Sequence, residues 1–300
     1  MHSHWVFAAR NVGSDRAPRT APVAILGGIV LLLTSCGGDG AITAPSVTPT
    51  VLPCPSPTPS QGTSPTASPS QTATPTASPT VEPTSAPTPS PPPSLIGREW
   101  SRIPTTQQVV ALTFDCGANA AGVPSILKTL RIEGISATFF LTGDWTRSFP
   151  ERAREIAGTH PVGNHSNSHR RLPGLSDVEV RAQIREAEGV IREITGRDPR
   201  PLFRFPYGAS DVRTIRIINQ LGYGGIRWTI DTLGWKGKSG DQTADSVVRR
   251  VMDRLEPGAI VLMHVGSAPD RSTLDADALP DLIERIRARG YRFVTVGEFL

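Results

Sequence analysis

Cysteine is scarce in this sequence, with Cys36, Cys54 and Cys116 the only three in 300 residues. Three thiols cannot organise a fold of this length, so a core must come from buried apolar surface. Long apolar runs are missing too. The best candidate, Ala21 to Leu33, is about thirteen residues with Pro22, Gly27 and Gly28 inside, against the ~20 needed to span a bilayer. A plain transmembrane anchor is therefore disfavoured. The net charge is only +4, much of it carried by arginines at helical positions such as Arg249, Arg250, Arg285, Arg287 and Arg289. No basic stripe interleaves with aromatics, so no nucleic-acid partner is expected. Between Ala41 and Ser94 charge itself is absent apart from Glu82.

What is present falls into three segments. Residues 1–36 hold Arg10, Arg16 and Arg19, the short apolar run, and then Leu33-Thr34-Ser35-Cys36. A basic region, an apolar core and small residues before a cut site mark a secretory signal. The last four residues resemble a bacterial lipobox, which implies lipidation of Cys36. The protein is thus expected to be an extracytoplasmic lipoprotein held at a membrane by its lipid anchor, the alternative being a simply secreted chain. Residues 37–94 are Pro, Ser, Thr and Ala in the main. Such a linker has too little apolar surface to offset its ordering entropy, so disorder with polyproline II stretches is expected. It reads as a spacer that carries a folded head away from a membrane. Cys54 in it is free, or pairs with Cys116 or with another chain.

Residues 95–300 are long enough for one sizeable core. Strand and helix signals alternate along them. Val109 to Phe114 is a buried strand, followed by a helix over 123–133, a strand at 137–141 and a short helix at 151–157. The clearest helix spans 177–195, with Val180, Ile184, Ala187, Ile191 and Ile194 on one face, Ser176 as N-cap and Gly196 beyond its end. Later come a helix over 212–221, a strand through 226–230, a helix at 244–255, a strand at 259–263, a helix at 279–289 and a last strand at 291–296. This spacing predicts parallel strands with crossover helices, open or closed into a barrel.

Ligands gather at the carboxyl ends of such strands, and five strand ends here carry polar groups. Asp115-Cys116-Gly117 follows the first. His165-Ser166-Asn167-Ser168-His169 sits in a loop or single turn, its two histidines able to grip one metal ion if they share a face. Arg204-Phe205-Pro206-Tyr207-Gly208 can aim a guanidinium at a carboxylate and expose a backbone N–H. Asp231-Thr232-Leu233-Gly234-Trp235 and Leu262-Met263-His264 complete the set. Singly these would be a turn residue, surface histidines, a Pro-Tyr-Gly turn, a packed indole and a core histidine. Five in this order argue for a site.

The order of TFDCG, HSNSH, RFPYG, DTLGW and LMH resembles the polysaccharide deacetylase family, the NodB-homology group of carbohydrate esterase family four, across about residues 108–296. The resemblance implies a distorted (β/α) barrel and metal-dependent removal of acetyl groups from a polysaccharide. It further implies Asp115 as general base, His165 and His169 as ligands of a divalent metal expected to be zinc, and Arg204 as the partner holding Asp115 ionised. The backbone N–H of Tyr207 would serve the oxyanion, Asp231 would orient His264 as general acid, and Leu262 and Trp235 would form the acetyl-methyl pocket. Such a set suits amide hydrolysis, which needs an activated water, charge stabilisation and a proton for a poor leaving group.

Two positions depart from the family pattern. Cys116 stands where a second aspartate ligates the metal, and a thiolate could take its place. Gly234 stands where an acid would be, which is expected to alter the cleft. The expected function is N-deacetylation of a cell-envelope or extracellular glycan, peptidoglycan or chitin-like. The alternatives are an O-acetyl esterase on xylan-like polymers and a catalytically degenerate glycan-binding lipoprotein.

Overall fold

The computed structural model describes residues 90–267 and 270–300. The expected signal segment, Cys36, Cys54 and almost all of the expected 37–94 linker lie outside the described residues. One sheet contains β1 (Glu99–Trp100), β2 (Val109–Cys116), β3 (Thr138–Leu141), β4 (Val162–Asn164), β5 (Leu202–Phe203), β6 (Gly224–Ile226), β7 (Ile230–Asp231), β8 (Ala259–His264) and β9 (Arg292–Val294). Between them run α1 (Val123–Glu133), α2 (Gly143–Ser148), α3 (Pro150–Thr159), α4 (Asp177–Thr195), α5 (Val212–Gln220), α6 (Ala244–Met252) and α7 (Leu274–Ala288). None of the described helices is long and apolar enough to cross a membrane.

The strand order is β1-β6-β5-β4-β3-β2-β8-β7, every ladder parallel, with β9 also on β2. β9 pairs with Val109 to Ala111 and β3 with Thr113 to Cys116, so the two divide one edge of β2. The ends of the sheet meet. Arg102, just past β1, bridges to Ala259 at the start of β8. Arg227 donates its backbone N–H to Trp100 O and Thr229 donates to Ile260 O, so the chain from β6 to β7 steps across the gap. The result is a distorted barrel of parallel strands. The single strand expected at 226–230 is thereby split in two. Its middle residues hydrogen-bond to different walls.

Strand alternation sorts the core into two layers. Val109 and Ala111 point inward with Phe140, Leu202, Ile226, Ile260 and Val294, filling the barrel. Val110, Leu112, Phe114 and Cys116 point outward among Ile126, Leu130, Val251, Leu279 and Ile283 of the surrounding helices. Each such burial contributes ~1.5–3 kcal/mol, and strands covered on both faces read as continuous apolar runs, as β2 does.

α4 forms where the apolar face predicted it. Ser176 and Glu179 make a reciprocal capping box, and Gly196 closes the far end in the left-handed conformation at φ 69°. α7 begins at Leu274 rather than 279 and contains Pro280. As the seventh residue of the helix, Pro280 lies past the first turn and removes one i→i−4 hydrogen bond from its ladder.

Candidate active site

Asp115, His165, Arg204, Asp231 and His264 lie at or just past the carboxyl ends of strands. Asp115 is the penultimate residue of β2, and its Cα partner on β8 is His264. His165 follows β4 directly, with its N–H on Leu141 O of β3. Arg204 follows β5 and donates its N–H to Asn164 O. Asp231 ends β7 opposite Leu262. Leu262 shares the inward face of β8 with His264 and is buried.

Arg204 is fully buried. Its Nη1 donates to Asp115 Oδ1 at 2.8 Å, Nε to Ile226 O at 3.2 Å and Nη2 to Arg227 O at 3.1 Å. The guanidinium also lies 4.1 Å from the centre of the Phe140 ring. It is therefore fixed in one orientation on the carboxylate. Burial alone would favour a neutral Asp115. The charges of Arg204, His165 and His264 outweigh it and hold the pKa below the ordinary aspartate value.

His165 Nδ1 donates to Arg204 O at 2.8 Å, since a carbonyl can only accept. Its Nε2 lies 3.3 Å from Asp115 Oδ2. Burial lowers the His165 pKa despite that carboxylate. His169 packs edge-on against His165, ring centres 4.8 Å apart, and against Tyr207 at 4.5 Å. Burial first, and then His165, push its pKa down to about 3. Both imidazoles are thus held neutral at ordinary pH.

The turn that joins them is not helical. Ser166 and His169 sit in the left-handed region at φ 64° and 56°. Side chains the sequence reading did not single out hold it there. Asn164 Oδ1 accepts from Ser166 N while its amide donates to Ile184 O. Gln183 Oε1 accepts from Ser168 N, and Ser166 Oγ accepts from His169 N. Tyr207 is likewise left-handed, at φ 59°.

Around His264 the structure adds a residue. Asp275, the second residue of α7, is buried and accepts a hydrogen bond from His264 N at 2.8 Å. Its Oδ2 is 3.8 Å from His264 Nδ1. Asp231, expected as the orienting acid, accepts instead from Leu233 N at 2.9 Å. Burial opposes protonation of His264, but Asp275, Asp115 and Asp231 together raise its pKa above the ordinary histidine value. The Trp235 ring centre lies 6.5 Å from that of His264.

Cys116 is not brought to the histidines. As the next residue along β2 from Asp115, it faces the opposite side, inside the outer apolar layer. Burial and the neighbouring Asp115 charge push its thiol well above the usual range, so it is a protonated core group. Among the described residues Cys116, the position at which a thiolate ligand was expected, is part of no group of three His, Cys, Asp or Glu side chains placed to hold a metal.

A profile of the polysaccharide deacetylase family matches residues 102–226. A peptidoglycan-N-acetylglucosamine deacetylase of Bacillus cereus is 33% identical over 195 residues, covering 64% of this chain and 68% of that one. The chain belongs to the polysaccharide deacetylase family. A chitooligosaccharide deacetylase of Azorhizobium caulinodans is 28% identical over 208 residues, 66% of this chain and 97% of the relative. Among solved structures, a peptidoglycan N-acetylglucosamine deacetylase matches with TM-score 0.61 at 31% identity, covering 66% of this chain and 91% of that one. A CE4 family pseudoenzyme from Bacillus anthracis matches at TM-score 0.59 and 31% identity, over 64% and 65%. The family therefore holds enzymes and pseudoenzymes on one fold.

Family members are typically metal-dependent. The donor chemistry here suits a cation. With Nδ1–H spent on Arg204 O, neutral His165 turns a bare Nε2 lone pair toward Asp115 Oδ2. Two acceptors at that separation repel unless a positive charge lies by them, and a backbone carbonyl on the distal nitrogen is how ligating histidines are commonly fixed. His169 offers the second imidazole. Among the described residues no group of three or more His, Cys, Asp or Glu side chains is placed to hold a metal.

Proposed function

We propose that this chain hydrolyses N-acetyl groups on a cell-envelope or extracellular glycan, peptidoglycan or a chitin-like polymer. One arrangement carries the reading. An ionised Asp115, clamped by Arg204, stands one ladder rung from a His264 whose pKa is raised. An acid and a base with opposed pKa shifts at one strand end are what amide hydrolysis needs, and a passive binder has no use for them.

In this reading His165 and His169 would hold a divalent cation, zinc by preference, which supplies polarisation of the acetyl carbonyl. Asp115 accepts a proton from the attacking water as the water oxygen bonds to the acetyl carbon. The backbone N–H of Tyr207 faces the oxyanion, and Leu262 and Trp235 wall the methyl group. His264 gives its proton to the leaving nitrogen as the C–N bond breaks, so acetate and a free amine result. Lipidation of Cys36 and the spacer would keep this head at the outer face of a membrane. Cys36→Ala should then release the protein from the membrane fraction, and unchanged partitioning would remove the anchor from the proposal.

Acetate release from purified peptidoglycan, chitin oligomers and acetylated xylan, with and without chelator, tests the function. Chelator-sensitive release from the N-acetylated glycans is expected. Release from xylan alone would make the protein an O-acetyl esterase. The outward-facing Cys116 favours a second reading, a glycan binder without turnover. Retention on glycan with no acetate released would establish it.

A further inference from the structure

Gly234 and Asp275 compete for one space. A Cβ built on Gly234 would lie 2.5 Å from Asp275 Cγ, 2.6 Å from its Oδ2, and against its Oδ1. These are the three outermost atoms of the carboxylate, so any side chain at 234 would overlap it. The backbone does not demand glycine there, because Gly234 is not among the left-handed residues. Asp275 itself is what position 234 makes room for. In the DTxDW pattern that the chain resembles, position 234 carries an acid. Here the carboxylate in that volume comes from α7.

Asp275 is no ordinary first-turn acid. Such residues usually sit at the surface by the helix N-terminus, as the exposed Asp277 does, accepting from the Thr273 hydroxyl at 3.0 Å. Asp275 is only 2% exposed, and its Oδ2 accepts from a different element, the backbone N–H of His264 on β8. Two buried polar atoms remain without a hydrogen-bond partner beside this contact, His264 Nδ1 and Asp275 Oδ1. The Nδ1–Oδ2 separation of 3.8 Å is about 1 Å beyond a hydrogen bond, and buried polar atoms of this kind are rarely left unpaired.

We infer that Asp275 is the positioning residue of His264, in the place the resemblance gave to Asp231, its carboxylate occupying the space that Gly234 leaves open. A carboxylate on the Nδ1 side selects the Nδ1–H tautomer and leaves Nε2 to face the leaving group. It also favours imidazolium. The other charged groups facing His264 are Asp115 on β2 and Asp231 on β7. Asp115 is already paired with Arg204, and Asp231 with the Leu233 N–H. Asp275 alone combines contact with the His264 backbone and a free oxygen. The inference rests on His264 acting as the general acid of the proposed deacetylation.

The test uses the full chain and four variants, Asp275→Asn, Asp275→Ala, Gly234→Asp and the double variant Gly234→Asp with Asp275→Ala. Three readouts are followed, namely the imidazole titration of His264 by NMR, thermal unfolding, and rates on an N-acetylated oligomer against an activated acetyl ester. Asp275→Asn should lower the His264 pKa by about one unit or more, move the alkaline limb of the amide profile down equally, and spare the activated ester. Gly234→Asp alone should unfold at lower temperature than wild type, and the double variant should regain both stability and the raised pKa. A His264 titration unchanged in Asp275→Asn overturns the inference, as does a Gly234→Asp protein as stable as wild type. If neither Asp275→Asn nor the double variant folds, the inference is refuted. A wild type that releases no acetate would end the functional proposal while leaving the titration and stability results to stand or fall separately.

Discussion

Arg204 and Asp115 lie 89 residues apart in the chain and 2.8 Å apart in space, the guanidinium fully buried. Breaking a buried pair by removing one partner costs ~3–5 kcal/mol, because the other charge is stranded. Arg204→Met should therefore lower stability by about that much and abolish turnover. Asp115→Asn keeps an acceptor for the guanidinium, so it should stay folded while losing ~10²–10⁴-fold in rate. Urea unfolding and acetate release on both proteins check the contrast.

Acid should destabilise the metal-free protein well above the carboxylate range. His169 has its folded pKa pushed down to about 3 and His165 is lowered too, while an unfolded histidine titrates near 6.5. Between pH 3 and 6.5 the unfolded chain thus binds more protons, and stability rises with pH by up to ~1.4 kcal/mol per unit for each histidine. His169→Gln should flatten the slope by its share. Denaturant titrations from pH 4 to 7 read it, and an unchanged slope would contradict the assignment.

Cys116 should prove dispensable for metal binding. Its side chain is in the outer apolar layer, so Cys116→Ala should keep the divalent metal content of wild type after dialysis. The cost is a small core cavity, ~1–2 kcal/mol. The native thiol should resist thiol reagents until the protein unfolds, being buried and held protonated. Loss of metal in the alanine variant would return the cysteine to the ligand set.

Asn164 should matter to metal affinity without being a ligand. It ties Ser166 N to Ile184 O across the buried base of the histidine turn. Asn164→Ala leaves the Ser166 N–H and the Ile184 carbonyl without this partner, at ~1–3 kcal/mol, and frees a turn with two left-handed residues. Weaker metal binding by calorimetry, with both histidines intact, is the expected result.

Much of this was legible in the residues. Helices α1 and α4 match their expected spans of 123–133 and 177–195 because apolar spacing and caps agree, with Gly134 and Gly196 both left-handed at the ends. The five strand-end motifs were visible because each chemical group follows an apolar run. The β6–β7 step was not, since Arg227 and Thr229 choose opposite walls through partners more than a hundred and about thirty residues away. Asp275 was hidden for a related reason. Its sequence neighbourhood is that of a helix start, and only packing of α7 on β8 gives it a histidine.

The step from β6 to β7 has one more effect. The carbonyls that hold Arg204 from behind belong to Ile226 and Arg227, the same residues at which the chain crosses to close the barrel. Closure of the wall and the fixing of Arg204 on Asp115 therefore depend on the same two residues. A partly folded chain, with β2 to β5 in place and the seam still open, would hold its histidines near one another yet lack a clamped arginine to keep Asp115 charged. A break at that seam would therefore free the Arg204 guanidinium from two of its three acceptors while most of the sheet still stood.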